Sequence, residues 1–211
     1  LAIPGLTELT DIGAKRGYPF ENNERLQPSY GSGPTELNHF GTGYYSRADF
    51  IEILKYATER HIEVIPEIES PGHAHAAIVA MKARYDRLVK EGKQQEAEQY
   101  LLTDINDRSE YVSAQYFKDN AMNPAMSSVY DFVEKVVVEL KKMYAEANAP
   151  LTTIHMGGDE VGNGAWTKSP AIDSTKHKIP NLKSPKDLYA YFFARTNDLL
   201  TKHGLRITGW E

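Results

Sequence analysis

Thr152-Thr153-Ile154-His155-Met156-Gly157-Gly158-Asp159-Glu160-Val161 is the stretch that decides the fold. A short β-prone run enters two glycines and then two adjacent carboxylates. It reads as a buried strand delivering acids to its C-terminal tip, where α/β enzymes place their chemistry. Successive side chains of a straight strand point to opposite faces, which would part Asp159 from Glu160. Gly157 and Gly158 lift that restriction: without Cβ they can twist or bulge the strand end and let a ligand approach the backbone. A lone Gly-Gly-Asp-Glu also fits a strand that merely ends in a polar turn, so the flanks must decide.

Upstream, Ser46-Arg47-Ala48-Asp49 is a capping box. Phe50, Ile51, Leu54 and Ala57 then share one face, predicting an amphipathic helix to about Arg60. Ile62 to Ile68 follows as a β-branched strand, with Pro66 near its end or at a bulge because it cannot donate to a ladder. A helix from about Ala74 carries Ile78, Met81, Tyr85 and Leu88. Another spans about Ser128 to Glu146, its stripe of Val129, Phe132, Val133, Val136, Val137, Leu140 and Met143 facing a core, and Asn148-Ala149-Pro150 stops it. Downstream, Ser184-Pro185-Lys186-Asp187 caps a helix through Leu188, Tyr191, Phe192, Arg195 and Leu199, closed by Gly204. Leu205 to Trp210 is a third strand. This order fits consecutive βα units of a wound sheet or barrel.

The remaining segments are less regular. Leu1 to Tyr45, rich in Gly, Pro, Asn and Ser, reads as loop, with Tyr18, Phe20, Tyr30, Tyr44 and Tyr45 expected to pin it to the core rather than line a pocket. Lys90 to Gln99 is a solvated helical face, Thr103 to Met126 yields no functional reading, and Gly162 to Asn181, containing Trp166, reads as loop.

Composition bounds the function. The 211 residues suffice for one domain or a large piece of one, and 41 % hydrophobic with 25 % charged residues is globular, not disordered. A net charge of −5 disfavours a nucleic-acid partner, and no apolar run is long enough to span a membrane. The absence of cysteine excludes disulfides and thiolate chemistry. The chain opens at Leu1 without an export signal and stops just after a strand, so residues 1–211 are expected to be one partial barrel domain, truncated at both ends.

The three strand ends carry Glu67 to His73, the pair Asp159 and Glu160, and Trp210 with Glu211. In a parallel barrel such tips converge on one rim. Two close carboxylates split their roles: the more buried one is expected to hold a proton while its neighbour stays charged, and a protonated Glu beside an ionised Asp is what acid-catalysed acetal cleavage requires. Trp210 offers either a flat wall for a sugar or an indole packed under the rim. His73 and His75 invite a metal reading, but Pro71-Gly72 breaks the strand before them and no third ligand is well placed; no metal and no cofactor are expected. His155 reads as a hydrogen-bonded core histidine.

His155-Met156-Gly157-Gly158-Asp159-Glu160 resembles the His-x-Gly-Gly-Asp-Glu signature of glycoside hydrolase family 20, the β-N-acetylhexosaminidases. Val64 to Ala74 resembles the family's Pro-Gly-His segment on the preceding strand, Thr208-Gly209-Trp210-Glu211 the next strand, and Leu1 to Leu6 the segment after its second strand. The resemblance implies a (β/α)8 TIM barrel, of which about strands 3 to 5 lie here, and a retaining exo-hydrolase of terminal β-linked GlcNAc or GalNAc. It implies Glu160 as acid/base, the substrate's 2-acetamido oxygen as nucleophile through an oxazolinium-type intermediate, and Asp159 as the group that orients it. By the same resemblance His73 tunes Glu160, Trp210 walls the acetamido pocket, Glu69 and Glu211 contact substrate, and the protein is extracytoplasmic, periplasmic or secreted. Glu69 stands where many members have Asp, and the family's first-strand Arg, second-strand acids and late-strand Trp and Tyr have no match, so these residues alone form an incomplete site. The alternatives are a non-catalytic carbohydrate-binding relative and a metal-dependent barrel hydrolase.

Overall fold

The computed structural model describes residues 1–210 other than 22, 30, 38, 39 and 180, without the side chains of 185 and 186. The expectations for Tyr30 and Glu211 lie outside the described residues. The elements run α1 (Glu8–Asp11), α2 (Arg47–Thr58), α3 (His75–Lys90), α4 (Gln94–Glu98), α5 (Ser127–Ala147), β1 (Thr153–His155), α6 (Pro170–Lys178), α7 (Pro185–Lys202) and β2 (Arg206–Thr208).

Both capping boxes form: Ser46 and Ser184 accept from the backbones of Asp49 and Asp187, whose carboxylates accept in return. Gly204 ends α7 with φ +73°, the left-handed turn only glycine takes without strain. The α5 stripe is core throughout, from Val129 to Met143.

β1 and β2 pair in parallel, Thr153 opposite Arg206, Ile154 opposite Ile207 and His155 opposite Thr208. The predicted strand at 62–68 pairs at one place, a parallel bridge between Glu67 and His155. There the His155 N–H donates to Pro66 O at 3.0 Å and the Ile68 N–H to His155 O at 2.8 Å. It is otherwise irregular, correcting the sequence reading. Pro66 removes a donor, and among the described residues no strand covers its other side, so Ile65 stays half exposed.

The chain divides into two compact units, Leu1–Val64 with Ala76–Tyr100 and Lys135–Pro150, and Ile65–His75 with Leu101–Glu134 and Leu151–Glu211. In the first, buried Ile3, Leu6 and Leu26 anchor the N-terminal segment, while Tyr18, Tyr44 and Tyr45 are exposed. Those tyrosines do not pin the loop as expected; aliphatic residues do. In the second, Gly162 to Asn181 is not a plain loop. Ser169 caps α6 with Pro170 in the first turn, a signal equal to that of Ser184-Pro185. Trp166, 3 % exposed, packs with Ile172, Leu182, Leu188, Ala121 and Ala165.

Candidate active site

The strand ends meet in the second unit. Past β1 the backbone leaves extended geometry at once: Gly157 has φ +64°, Gly158 +110° and Glu160 +48°. A Cβ on Gly157 would stand 2.5 Å from Glu69 Oε2, and one on Gly158 2.8 Å from the Phe193 ring, so the double glycine serves both conformation and space. The left-handed turn at Glu160 cancels strand alternation. His73 Nε2 consequently lies 3.3 Å from Asp159 Oδ2 and 3.4 Å from Glu160 Oε2. His73 also has positive φ, +52°, a conformation that costs a non-glycine residue about 1 kcal/mol and that clusters at functional sites.

The two acids differ in surroundings, in the opposite order to the expectation that the proton-holding glutamate is the more buried of the pair. The Glu160 side chain is 52 % exposed and accepts from Gln115 Nε2 at 2.8 Å. Asp159 is more enclosed, and its Oδ1 is shielded from solvent without a hydrogen-bond partner among the described residues. Such an acceptor is left for a donor beyond the described residues.

A second cluster sits beside the first. Glu67 Oε1 accepts from the Trp210 indole N–H at 2.9 Å and lies 2.8 Å from His155 Nδ1. The Trp210 and His155 rings meet edge to face at 4.6 Å. The Gly157 N–H also faces Nδ1, at 3.2 Å. One nitrogen cannot donate to the carboxylate and accept from the amide together, and the shorter, charge-assisted contact favours donation to Glu67. His155 is thus hydrogen-bonded, as expected, though to a rim carboxylate and not within a core. Glu69 stands next to both clusters. Partial burial, then the charges of Glu67 and Asp159, push its carboxyl above the usual range, opposed by His73 and His155.

The structure therefore brings Asp159, Glu160 and His73 onto one another and places Glu69 and Trp210 beside them. His73 and His75 do not converge: His75 Nδ1 pairs with Asp119 at 2.8 Å. Sequence reasoning placed Glu67 at a strand end without giving it a role, and missed Gln115. Glu67 was visible as the strand-end acid one alternation before Glu69; Gln115 lies in a polar stretch without periodicity, which gave no signal.

The whole chain, residues 1–211, matches the model of the glycosyl hydrolase family 20 catalytic domain. The chain belongs to glycosyl hydrolase family 20. Family 20 relatives include a β-hexosaminidase of Vibrio vulnificus, 43 % identical over all of this chain and 25 % of its own length. They include also an N,N'-diacetylchitobiase of Vibrio harveyi, 54 % identical over 77 % of this chain and 18 % of its own length. Among solved structures, a family 20 exo-β-N-acetylglucosaminidase of Vibrio harveyi in complex with N-acetylglucosamine matches with a TM-score of 0.78 and 33 % identity, over 100 % of this chain and 28 % of that one. The chain thus spans 18 to 28 % of the length of these relatives, and its fold is part of the family's TIM barrel.

Proposed function

We propose that the protein carrying this chain is a retaining exo-β-N-acetylhexosaminidase acting on carbohydrates with terminal β-linked GlcNAc or GalNAc, and that residues 1–211 belong to its one catalytic barrel domain. One observation carries the reading: adjacent acids, normally on opposite faces, share the single nitrogen of His73. The more exposed Glu160 is the acid/base, protonating the leaving oxygen and later activating water. Asp159 orients the substrate's acetamido group, whose N–H supplies the donor that Oδ1 lacks among the described residues. The acetamido oxygen then attacks the anomeric carbon as the glycosidic bond breaks, and Asp159 stabilises the charge of the oxazolinium-type intermediate. Family 20 is among the substrate-assisted exceptions to the scheme of two protein carboxylates, so no further acid is needed as nucleophile. Trp210 walls the acetamido pocket, His73 tunes Glu160, and Glu69 faces the sugar.

The test is chromophore release from an aryl N-acetyl-β-glucosaminide by the full-length protein. Glu160→Gln should abolish turnover with the fold intact, and Asp159→Asn should slow it only for substrates bearing the acetamido group. Full activity of Glu160→Gln refutes the assignment. A metal-dependent hydrolase has one observation in its favour: donor atoms of His73, Asp159 and Glu160 lie within 4.8 Å of one another. Inactivation by EDTA, restored by a divalent ion, would establish that reading instead.

A further inference from the structure

Residues 161–166, directly after Glu160, and Tyr189 of α7 line a cavity of about 390 Å³. That volume falls within the roughly 300–1,000 Å³ of small-molecule pockets. Asp159, Glu160 and His73 are not in its wall. Trp166 is, and it is 3 % exposed with an indole N–H that meets no acceptor among the described residues. A buried N–H left unpaired is costly, and native structures rarely keep one without a reason. Trp166 also has φ +66°, a backbone region that bulky side chains avoid. Two costs on one residue of a cavity wall point to a ligand. Among the described residues no charged side chain lines the cavity. Tyr189 stays neutral as well: burial pushes its phenol up, offset in part by the Val161 backbone and reinforced by the Asp159 charge.

We propose that this cavity is a second ligand site, which takes an uncharged, ring-sized molecule whose carbonyl oxygen accepts from the Trp166 indole N–H. An uncharged wall gives an ion no partner, and a lone free donor calls for an acceptor that brings no further donor to satisfy. Occupancy also reaches the acids. The Trp166 ring stands 6.3 Å from that of Tyr189, Tyr189 stacks on Phe193 at 6.1 Å, and Phe193 fills the space beside Gly158. An occupant wedged against Tyr189 bears on the backbone that carries Asp159 and Glu160 without touching either carboxylate. It therefore lowers kcat and leaves KM unchanged. This effect on turnover rests on the reading of Glu160 as the acid; the binding does not.

The probe is cyclohexanone, offered to the full-length protein and to its Trp166→Phe and Asn163→Trp variants. Trp166→Phe removes the donor and keeps an aromatic ring, and Asn163→Trp covers the cavity mouth from an exposed position where a larger side chain leaves folding intact. Saturation-transfer NMR should show saturable binding to the wild type, weakened about tenfold in each variant. With an aryl N-acetyl-β-glucosaminide as substrate, the probe should lower wild-type kcat at constant KM. Absence of saturable binding, or equal binding by the wild type and Asn163→Trp, overturns the site. A rise in KM at constant kcat overturns it too, because the probe then occupies the substrate pocket. A wild type that cleaves no aryl glycoside refutes the hydrolase reading, and the binding comparison still decides the cavity.

Discussion

Glu67 and Trp210, 143 positions apart, are joined by a 2.9 Å hydrogen bond from the indole N–H to the carboxylate. The same oxygen faces His155, so one carboxylate fixes two rings that also touch each other. Trp210 is 57 % exposed, and packing alone would leave such an indole free to turn.

Glu67→Ala should therefore release Trp210, while Glu67→Gln, whose amide oxygen still accepts from the indole, should largely retain it. The check is fluorine NMR of the full-length protein labelled with 5-fluorotryptophan, the signal assigned by its loss in Trp210→Phe. Line broadening or a shift in Glu67→Ala, with KM rising more than kcat falls, is the expected result. An unchanged Trp210 signal in the alanine variant would show that the hydrogen bond does not hold the ring.

Gly72 links the Pro-Gly-His segment to the acids. A Cβ there would lie 2.7 Å from the Asp159 carbonyl oxygen, a backbone atom that moves only with the strand end. Gly72→Ala should shift both carboxylates by several tenths of an ångström and lower kcat about a hundredfold, with circular dichroism unchanged. Wild-type turnover would mean that the acids tolerate displacement.

How much of this was legible in the sequence depends on the range of the forces involved. Helices α2, α3, α5 and α7 were readable because capping and apolar periodicity act within a few residues. The convergence of Asp159, Glu160 and His73 was foreseeable from glycines at the strand end, although the decisive left-handed turn falls on Glu160, where no glycine announces it. The strand at 62–68 was overread, because β-branched propensity says nothing about whether a neighbour is present on each side. Helix α6 was underread because its nine residues bury Ile172 and present no apolar stripe, leaving the Ser169-Pro170 cap as the local signal. Gln115 could not be found at all: its role exists only through a contact 45 residues away.

The cap at Ser46 offers a local stability test. Its hydroxyl accepts from the Asp49 N–H at 3.1 Å, and Asp49 returns a 2.8 Å bond to the Ser46 N–H. Ser46→Ala should cost about 1 kcal/mol of helix stability. Hydrogen exchange at the Asp49 amide should quicken about fivefold, with α7 amides unaffected; equal exchange in both proteins would show that the cap contributes nothing.

Glu69 gives a pH-dependent prediction whose sign follows from its surroundings. Burial first, then Glu67 and Asp159, raise its folded pKa above the unfolded value. The native state then keeps a proton that the unfolded chain has already released. Unfolding stability accordingly falls as pH rises through the window from the ordinary glutamate range up to the raised value, and the deficit is complete above it. Replacing the carboxylate by a neutral amide removes that deficit and nothing at low pH, where both side chains are uncharged. Glu69→Gln should therefore melt higher than wild type near pH 7, by a margin that shrinks toward zero at about pH 4. Melts of the full-length protein followed across that range test it. A margin that grows on acidification would reverse the sign and show that Glu69 is held as a stabilised anion, paired with His73 or His155 more strongly than it is repelled by its acidic neighbours.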